Sequence, residues 1–339
     1  MKRQSDLFAR VYDFANLELA YRKASKCKRY HSEILNFSAT REESLIDIQN
    51  HLIWKTYRQG SYRFFTVTEP KRREIAALPF RDRVVHHALN NILEPILDKR
   101  FYYHSYACRK GKGLHEASAT LQKWIRHNSY GGQKVYVLKC DIKSYFNSID
   151  HNVLKAALRR VIKDEGVLWL TDVIIDSTGT DAGIPIGNLS SQLFANFYLD
   201  ALDKFVKEEI RALYYIRYMD DFLILSRDKD FLRDAWLAIE DYVTDKLHLE
   251  LNPKTTIVCA KNGIDFCGYR HWADHKRVRR RSIKSIHSAI RGYERGKITS
   301  ERFDRILQSW LGHISHADTY RLKQSVLARI STHSERSLQ

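Results

Sequence analysis

The chain has 339 residues, 44% of them hydrophobic, 12% aromatic and 29% charged, with 57 Lys and Arg against 40 Asp and Glu and a formal charge of +17. With only 14 Gly and 5 Pro it is neither fibrous nor low in complexity, and no apolar run approaches the ~18 residues of a spanning helix. The apolar content suits a core in about two domains, and a basic excess of this size points to a polyanionic partner, nucleic acid first.

In chain order, the N-terminus MKRQSDLFARVYDF carries charges where a signal peptide needs an apolar stretch, which predicts a cytoplasmic protein. Five cysteines without a CxxC pair argue against a disulfide framework or a structural zinc site. Residues 1–58 read as a basic helical extension. Residues 82–94 read as a helix, with Val84, Val85, Ala88, Leu89, Ile92 and Leu93 at helical spacing and Pro95 expected to end or kink it. The run VYVLKC at 135–140 reads as a buried strand ending at Asp141. Residues 151–163 and 189–206 read as helices. The runs 213–218 and 222–226 read as two strands of a tight hairpin around Met219-Asp220-Asp221. Short strands are expected at 255–259 and 264–269. After Arg270 the pattern turns basic and helical, peaking at Lys276-Arg277-Val278-Arg279-Arg280-Arg281.

Two adjacent aspartates at a hairpin tip between buried strands repel each other and ask for a cation. Taken alone, Asp220-Asp221 also fits a solvated turn. Asp141 ends another apolar strand, so pairing the two strands would gather three carboxylates at one sheet edge. Hard oxygen ligands suit Mg²⁺, and two such ions ~4 Å apart serve in-line phosphoryl transfer. A basic protein with this site reads as a nucleic-acid polymerase or a metal-dependent nuclease. Cys267, His271 and His275 have metal-like spacing but overlap a segment with another reading. His86-His87 read as helix residues without chemistry, and Asp150, Asp200 and Asp203 as helix-end or surface carboxylates.

From about residue 60 to 270 the chain resembles the reverse transcriptases. IAALPFRDRVVHHALNNILEPIL and HSYACRKGKGLHEA resemble the two fingers motifs of bacterial enzymes. VLKCDIKSYFNSIDH resembles motif A, IPIGNLSSQLFANFYLDALD motif B, YMDD motif C, LNPKTTIV motif D and FCGY the motif E primer grip. The resemblance implies an α+β right-hand polymerase fold: fingers at 59–134, a palm of antiparallel sheet plus helices at 135–270, and a helical basic thumb and tail at 271–339. It implies RNA-directed DNA polymerase activity with two Mg²⁺ ions, Mn²⁺ being able to substitute, held by Asp141, Asp220, Asp221 and the carbonyl of Ile142.

The same resemblance assigns Lys254 as a motif D general acid and Phe146 as the steric gate beneath the incoming sugar. Lys71, Arg72 and Arg73, with Arg81 and Arg83 behind them, become triphosphate ligands. Arg109, Lys110, Lys112, Gln192, Gly268, Tyr269, Arg279 and Arg280 become contacts to template RNA, primer or cDNA.

Motif B departs from the usual Gln-Gly and Ser-Pro: here stand Ile186-Gly187 and Ser191-Gln192. This form is similar to reverse transcriptases of diversity-generating retroelements, relatives of the group II intron and retron enzymes. Those copy a template-repeat RNA into cDNA with errors at adenines, for mutagenic retrohoming, together with an oligomeric, helical accessory variability determinant. The length, with little beyond the thumb for maturase or endonuclease domains, argues against an intron-encoded enzyme. The alternatives are a retron or phage-defence reverse transcriptase, a degenerate RNA-binding polymerase fold, and a two-metal nuclease. Ile186 can only pack where Gln would hydrogen-bond, which predicts low fidelity.

Overall fold

The computed structural model describes residues 6–68 and 72–336. The first half contains α1 (Phe8–Tyr12), α2 (Phe14–Ser25), α3 (Ser32–Ala39), α4 (Arg41–Ile53), β1 (Arg63–Val67), β2 (Arg73–Ala77), α5 (Phe80–Asp98), α6 (Leu114–Asn128), β3 (Tyr136–Asp141), α7 (Tyr145–Ser148), α8 (His151–Arg159) and α9 (Glu165–Ile175). The second contains α10 (Leu189–Tyr198), α11 (Asp200–Lys204), a π-turn at Phe205–Glu209, β4 (Tyr214–Tyr218), β5 (Asp221–Ser226), α12 (Lys229–Leu247), β6 (Thr256–Cys259), β7 (Ile264–Phe266), β8 (Tyr269–His271), β9 (Lys276–Val278), α13 (Arg280–Glu294), α14 (Ser300–Ile314) and α15 (Tyr320–Arg336). Two compact units interleave along the chain. One comprises Met1–Tyr103, Ile142–Ile210 and Ala238–Pro253; the other His104–Asp141, Arg211–Leu237 and Lys254–Gln339.

The first unit is helical around α5, whose Val84, Val85, Ala88, Leu89, Leu93 and Leu97 are buried against α2 and α10. Each Val or Leu among them contributes ~1.5–3 kcal/mol on burial. The helix runs through Pro95 to Asp98 rather than ending before it, because buried Leu93 and Leu97 hold both sides of the missing N–H. The helix expected over 189–206 breaks at Leu199 into α10, α11 and the π-turn. The ribbon of β1 and β2 projects with all five β1 residues exposed.

The second unit is built on an antiparallel sheet of order β4-β5-β3-β6. Alternation sends Val137, Ile216, Leu223 and Leu225 to one face, where they pack with Leu121 and Ile125 of α6 and with Ile264 and Phe266. A second sheet, β7-β8-β9, corrects two expectations. Residues 264–269 are not one strand but a hairpin, since Cys267 and Gly268 take φ of 47° and 82° and pair Phe266 with Tyr269. The basic run at 276–278 is strand β9, not helix, because it completes that sheet. Helices α13–α15 then enclose Ile286, Ile290, Phe303, Trp310, Ile314 and Val326. Among the described residues no helix is long and apolar enough to cross a membrane.

Candidate active site

Tyr218 pairs with Asp221, so the β4–β5 connection is a two-residue turn of Met219 and Asp220. Asp221 is thus the first residue of β5 rather than part of the turn. Met219 takes φ 57°, the positive value that primed hairpin turns demand at their first position. Arg217, wholly buried on β4, donates through Nη1 to the Met219 carbonyl at 3.1 Å. A buried guanidinium is costly unless hydrogen-bonded, so it serves as a strut for the turn. Nothing in the sequence reading singled it out; the one charge inside LYYIRY was the available signal.

The β3–β5 ladder ends on the pair Asp141↔Asp221. Residues directly opposed in an antiparallel ladder share a face, with Cα atoms ~4.5–5.5 Å apart, and like charges so placed repel. All three aspartates are half-buried, Asp220 in the turn beside the pair. Among the described residues no three His, Cys, Asp or Glu side chains already form a metal cage. That donor set fits Mg²⁺, which is held by one or two carboxylates together with substrate phosphates.

Beside it the Cys267 thiol is pushed well above the usual thiol range, by burial and then by the Asp221 charge. His271 is buried against Ser118 Oγ at 2.8 Å and the Ile264 carbonyl at 3.1 Å, and His275 stacks on Trp272 at 4.6 Å, so the metal-like spacing of these three residues is packing.

Ile142, Phe146, Ile186, Gly187, Gln192, Arg72 and Arg73 belong to the first unit. Ile142 is buried in a bridge to Leu251. Ser144, at φ 49°, starts the short α7, on which Phe146 is half-buried and accepts the Ile184 N–H at 2.8 Å. Motifs A and B are thereby joined. Two residues on, the Ile186 carbonyl accepts the Ala76 N–H of β2 at 2.9 Å. Gly187 has φ 121°, and a Cβ there would lie 2.9 Å from Ile75 Cγ2. Only glycine therefore fits where the loop meets the ribbon. Gln192 is exposed on α10.

The expected cations divide. Lys71 lies outside the described residues. Arg72 and Arg73 are exposed at the end of the ribbon where β1 leads on to β2, Arg73 opposing Val67. Arg81 and Arg83 are instead paired with Asp47, at 3.0 Å, and Glu33 of the N-terminal helices.

In the second unit Lys254 is exposed two residues beyond the last ladder pair, Lys139↔Thr256, toward the Asp141 end. Arg109 holds the Ser105 carbonyl at 2.8 Å, Lys112 lies 5.1 Å over the Tyr106 ring, and Lys110 is exposed. Tyr269 corrects its assignment as a nucleic-acid contact. It is 0% exposed, and its hydroxyl donates to the His313 carbonyl at 2.8 Å, because β8 turns that ring into the helical core. Gly268 makes the preceding turn. Arg279 and Arg280 line a cleft of about 580 Å³ with Lys139, Arg270, Trp272 and Arg277. Arg270 and Arg277 oppose each other in register and both lie over Trp272, at 5.3 and 5.8 Å. Opposed like charges held on an aromatic surface suit a phosphate backbone.

The sequence profile described as reverse transcriptase (RNA-dependent DNA polymerase) matches residues 67–271. Protein YkfC of Escherichia coli K12 is 27% identical over 242 residues, covering 59% of this chain and 63% of that protein. The group II intron-encoded protein LtrA of Lactococcus lactis is 31% identical over 144 residues, covering 40% of this chain and 23% of LtrA. The chain thus spans less than two thirds of either relative. Among solved structures, apo telomerase from Candida tropicalis, truncated from its C-terminal domain, superposes with a TM-score of 0.52 at 14% identity, over 66% of this chain and 55% of that one. That likeness gives the mixed helix-and-sheet chain the right-hand polymerase fold.

Proposed function

The chain belongs to the reverse transcriptase family, and on that premise we propose that it is an RNA-directed DNA polymerase of a diversity-generating retroelement, making cDNA with errors at adenines from a template-repeat RNA. The observation that carries the enzymatic reading is Asp141 facing Asp221 across the ladder with Asp220 in the adjoining turn. Asp141, Asp220, Asp221 and the Ile142 carbonyl would hold two Mg²⁺ ions, which when bound activate the primer 3′-hydroxyl and stabilise the leaving pyrophosphate.

The chain's own residues do the rest. Arg72 and Arg73, with Lys71, bind the triphosphate oxygens. Phe146 excludes a ribose 2′-hydroxyl. Lys254 donates a proton to the pyrophosphate as it leaves. Arg270, Arg277, Arg279 and Arg280, with Arg109, Lys110 and Lys112, hold nucleic-acid phosphates, so binding should weaken steeply with salt. The subgroup rests on Ile186, Gly187, Ser191 and Gln192. An apolar Ile186 leaves no polar group unpaired when a mispair forms, which lowers the penalty for error. An accessory variability determinant, oligomeric and helical, is the partner this reading implies.

Sequencing cDNA made from an RNA of known sequence, with dNTPs and Mg²⁺, tests both levels. Wild type should extend with errors concentrated opposite adenine, Ile186→Gln should lower them several-fold, and Asp220→Ala should not extend. Equal extension by Asp220→Ala would defeat the catalytic assignment. Errors spread evenly over the four bases would favour a second reading, a group II intron-type reverse transcriptase, which the likeness to the intron-encoded LtrA supports.

A further inference from the structure

The loop at 186–190 is held from below by side chains that the chemistry above does not use. His86 is wholly buried on α5, and both ring nitrogens are engaged. Nε2 lies 2.9 Å from Gln59 Oε1 and Nδ1 lies 2.7 Å from Ser190 Oγ, in the first turn of α10. An amide oxygen can only accept, so Nε2 carries the proton and Nδ1 accepts the Ser190 hydroxyl. Burial keeps this imidazole neutral, with its pKa lowered to about 3, so that donor–acceptor polarity persists at working pH.

One helical turn earlier, buried Asp82 fixes the segment that presents Gln59: its carboxylate accepts the Tyr57 hydroxyl at 2.7 Å and the Gly60 N–H at 3.0 Å. A third tie runs from Asn188 Nδ2 to the Tyr62 hydroxyl at 3.3 Å, which in turn meets Ser177 Oγ at 2.7 Å. With the Ala76–Ile186 backbone bond, residues 186, 188 and 190 are each held by a different upstream segment, all within the first unit.

We infer that His86 is a positioning residue for nucleotide selection: through Ser190 it sets the motif B loop, so that Ile186 and Gly187 meet the incoming nucleotide in one register. This rests on the polymerase reading above. Selection is sensitive to misplacement, since a shift of ~1 Å at a reacting centre can cost ~10²-fold.

The two amide substitutions divide the role. Asn at 86 places an oxygen near the former Nδ1 and keeps the Ser190 bond; Gln reaches the former Nε2 position and loses it. Single-nucleotide primer extension on a defined RNA should show the dNTP KM raised about tenfold in His86→Gln and Ser190→Ala, with kcat within about threefold of wild type, and His86→Asn close to wild type, one misplaced buried hydrogen bond being of that order. Amide hydrogen exchange should rise at residues 186–190 in the first two variants and not in the third. Equal KM and equal exchange in His86→Asn and His86→Gln would overturn the inference. Should His86→Gln fail to fold, Ser190→Ala against His86→Asn carries the same comparison. A wild type that does not extend defeats the polymerase reading alone, and the exchange pattern still decides whether His86 sets the loop.

Discussion

The four-stranded sheet and the β1–β2 ribbon are both antiparallel, yet they hold their functional groups in opposite ways. In the sheet, β5 carries four buried residues behind Asp221, and β3 carries Val137, Leu138 and Cys140 behind Asp141. The carboxylates stand at the end of a close-packed body. In the ribbon every β1 residue is exposed, and two strands alone are marginally stable in water. Arg72 and Arg73 stand at the end where its two strands connect, and the Ala76 N–H ties it to the Ile186 carbonyl. On the proposed reading, metal ligands need fixed geometry, whereas residues that grip and release a triphosphate do not, and the two settings suit those two roles.

Substitutions on the two sides should separate cleanly. The largest effect is expected in the sheet: Asp141→Asn should cut kcat in primer extension by about 10³-fold or more, since a metal ligand stabilises transition-state charge by several kcal/mol. Its melting temperature should hold or rise, because the repulsion with Asp221 is relieved. A fall of more than a few degrees would mean the pair is structural.

On the ribbon, Arg73→Ala should raise the dNTP KM about tenfold, kcat and melting temperature being little changed, because exposed substitutions usually stay within about 0.5 kcal/mol. A kcat loss as large as that of Asp141→Asn would erase the distinction.

A last effect, on stability rather than on turnover, concerns acid and should be shared by both units. Burial lowers the pKa of His271 in the second unit to about 4 and that of His86 in the first to about 3. Unfolded histidine takes a proton near pH 6.5, so between pH 6.5 and about 4 the unfolded chain binds more protons, and stability falls by about 1.4 kcal/mol per pH unit for each histidine. Denaturant melts at pH 7 and pH 5.5 measure it; a flat profile would mean that the folded imidazoles can charge.

Much of the site was readable before the fold. The apolar runs ending in Asp141 and flanking Met219-Asp220 became β3, β4 and β5, because period-2 burial and turn chemistry are local. The departures came where distant segments compete for a residue. Pro95 stays inside α5 because packing on both sides outweighs one lost hydrogen bond. Cys267-Gly268 folds a presumed strand into a hairpin because β9 arrives to extend it.

Composition, periodicity and motif order were enough to establish a basic mixed α and β chain of the reverse transcriptase family, with acidic residues at the ends of buried strands. Which side chains are left for substrate was decided by tertiary structure. Arg81 and Arg83 were taken by Asp47 and Glu33, Tyr269 was turned into the helical core, and Arg217 was buried as a strut beneath the Met219–Asp220 turn. The reason is that an ion pair or a buried hydrogen bond forms only when two elements meet, and which elements meet is a property of packing rather than of spacing along the chain.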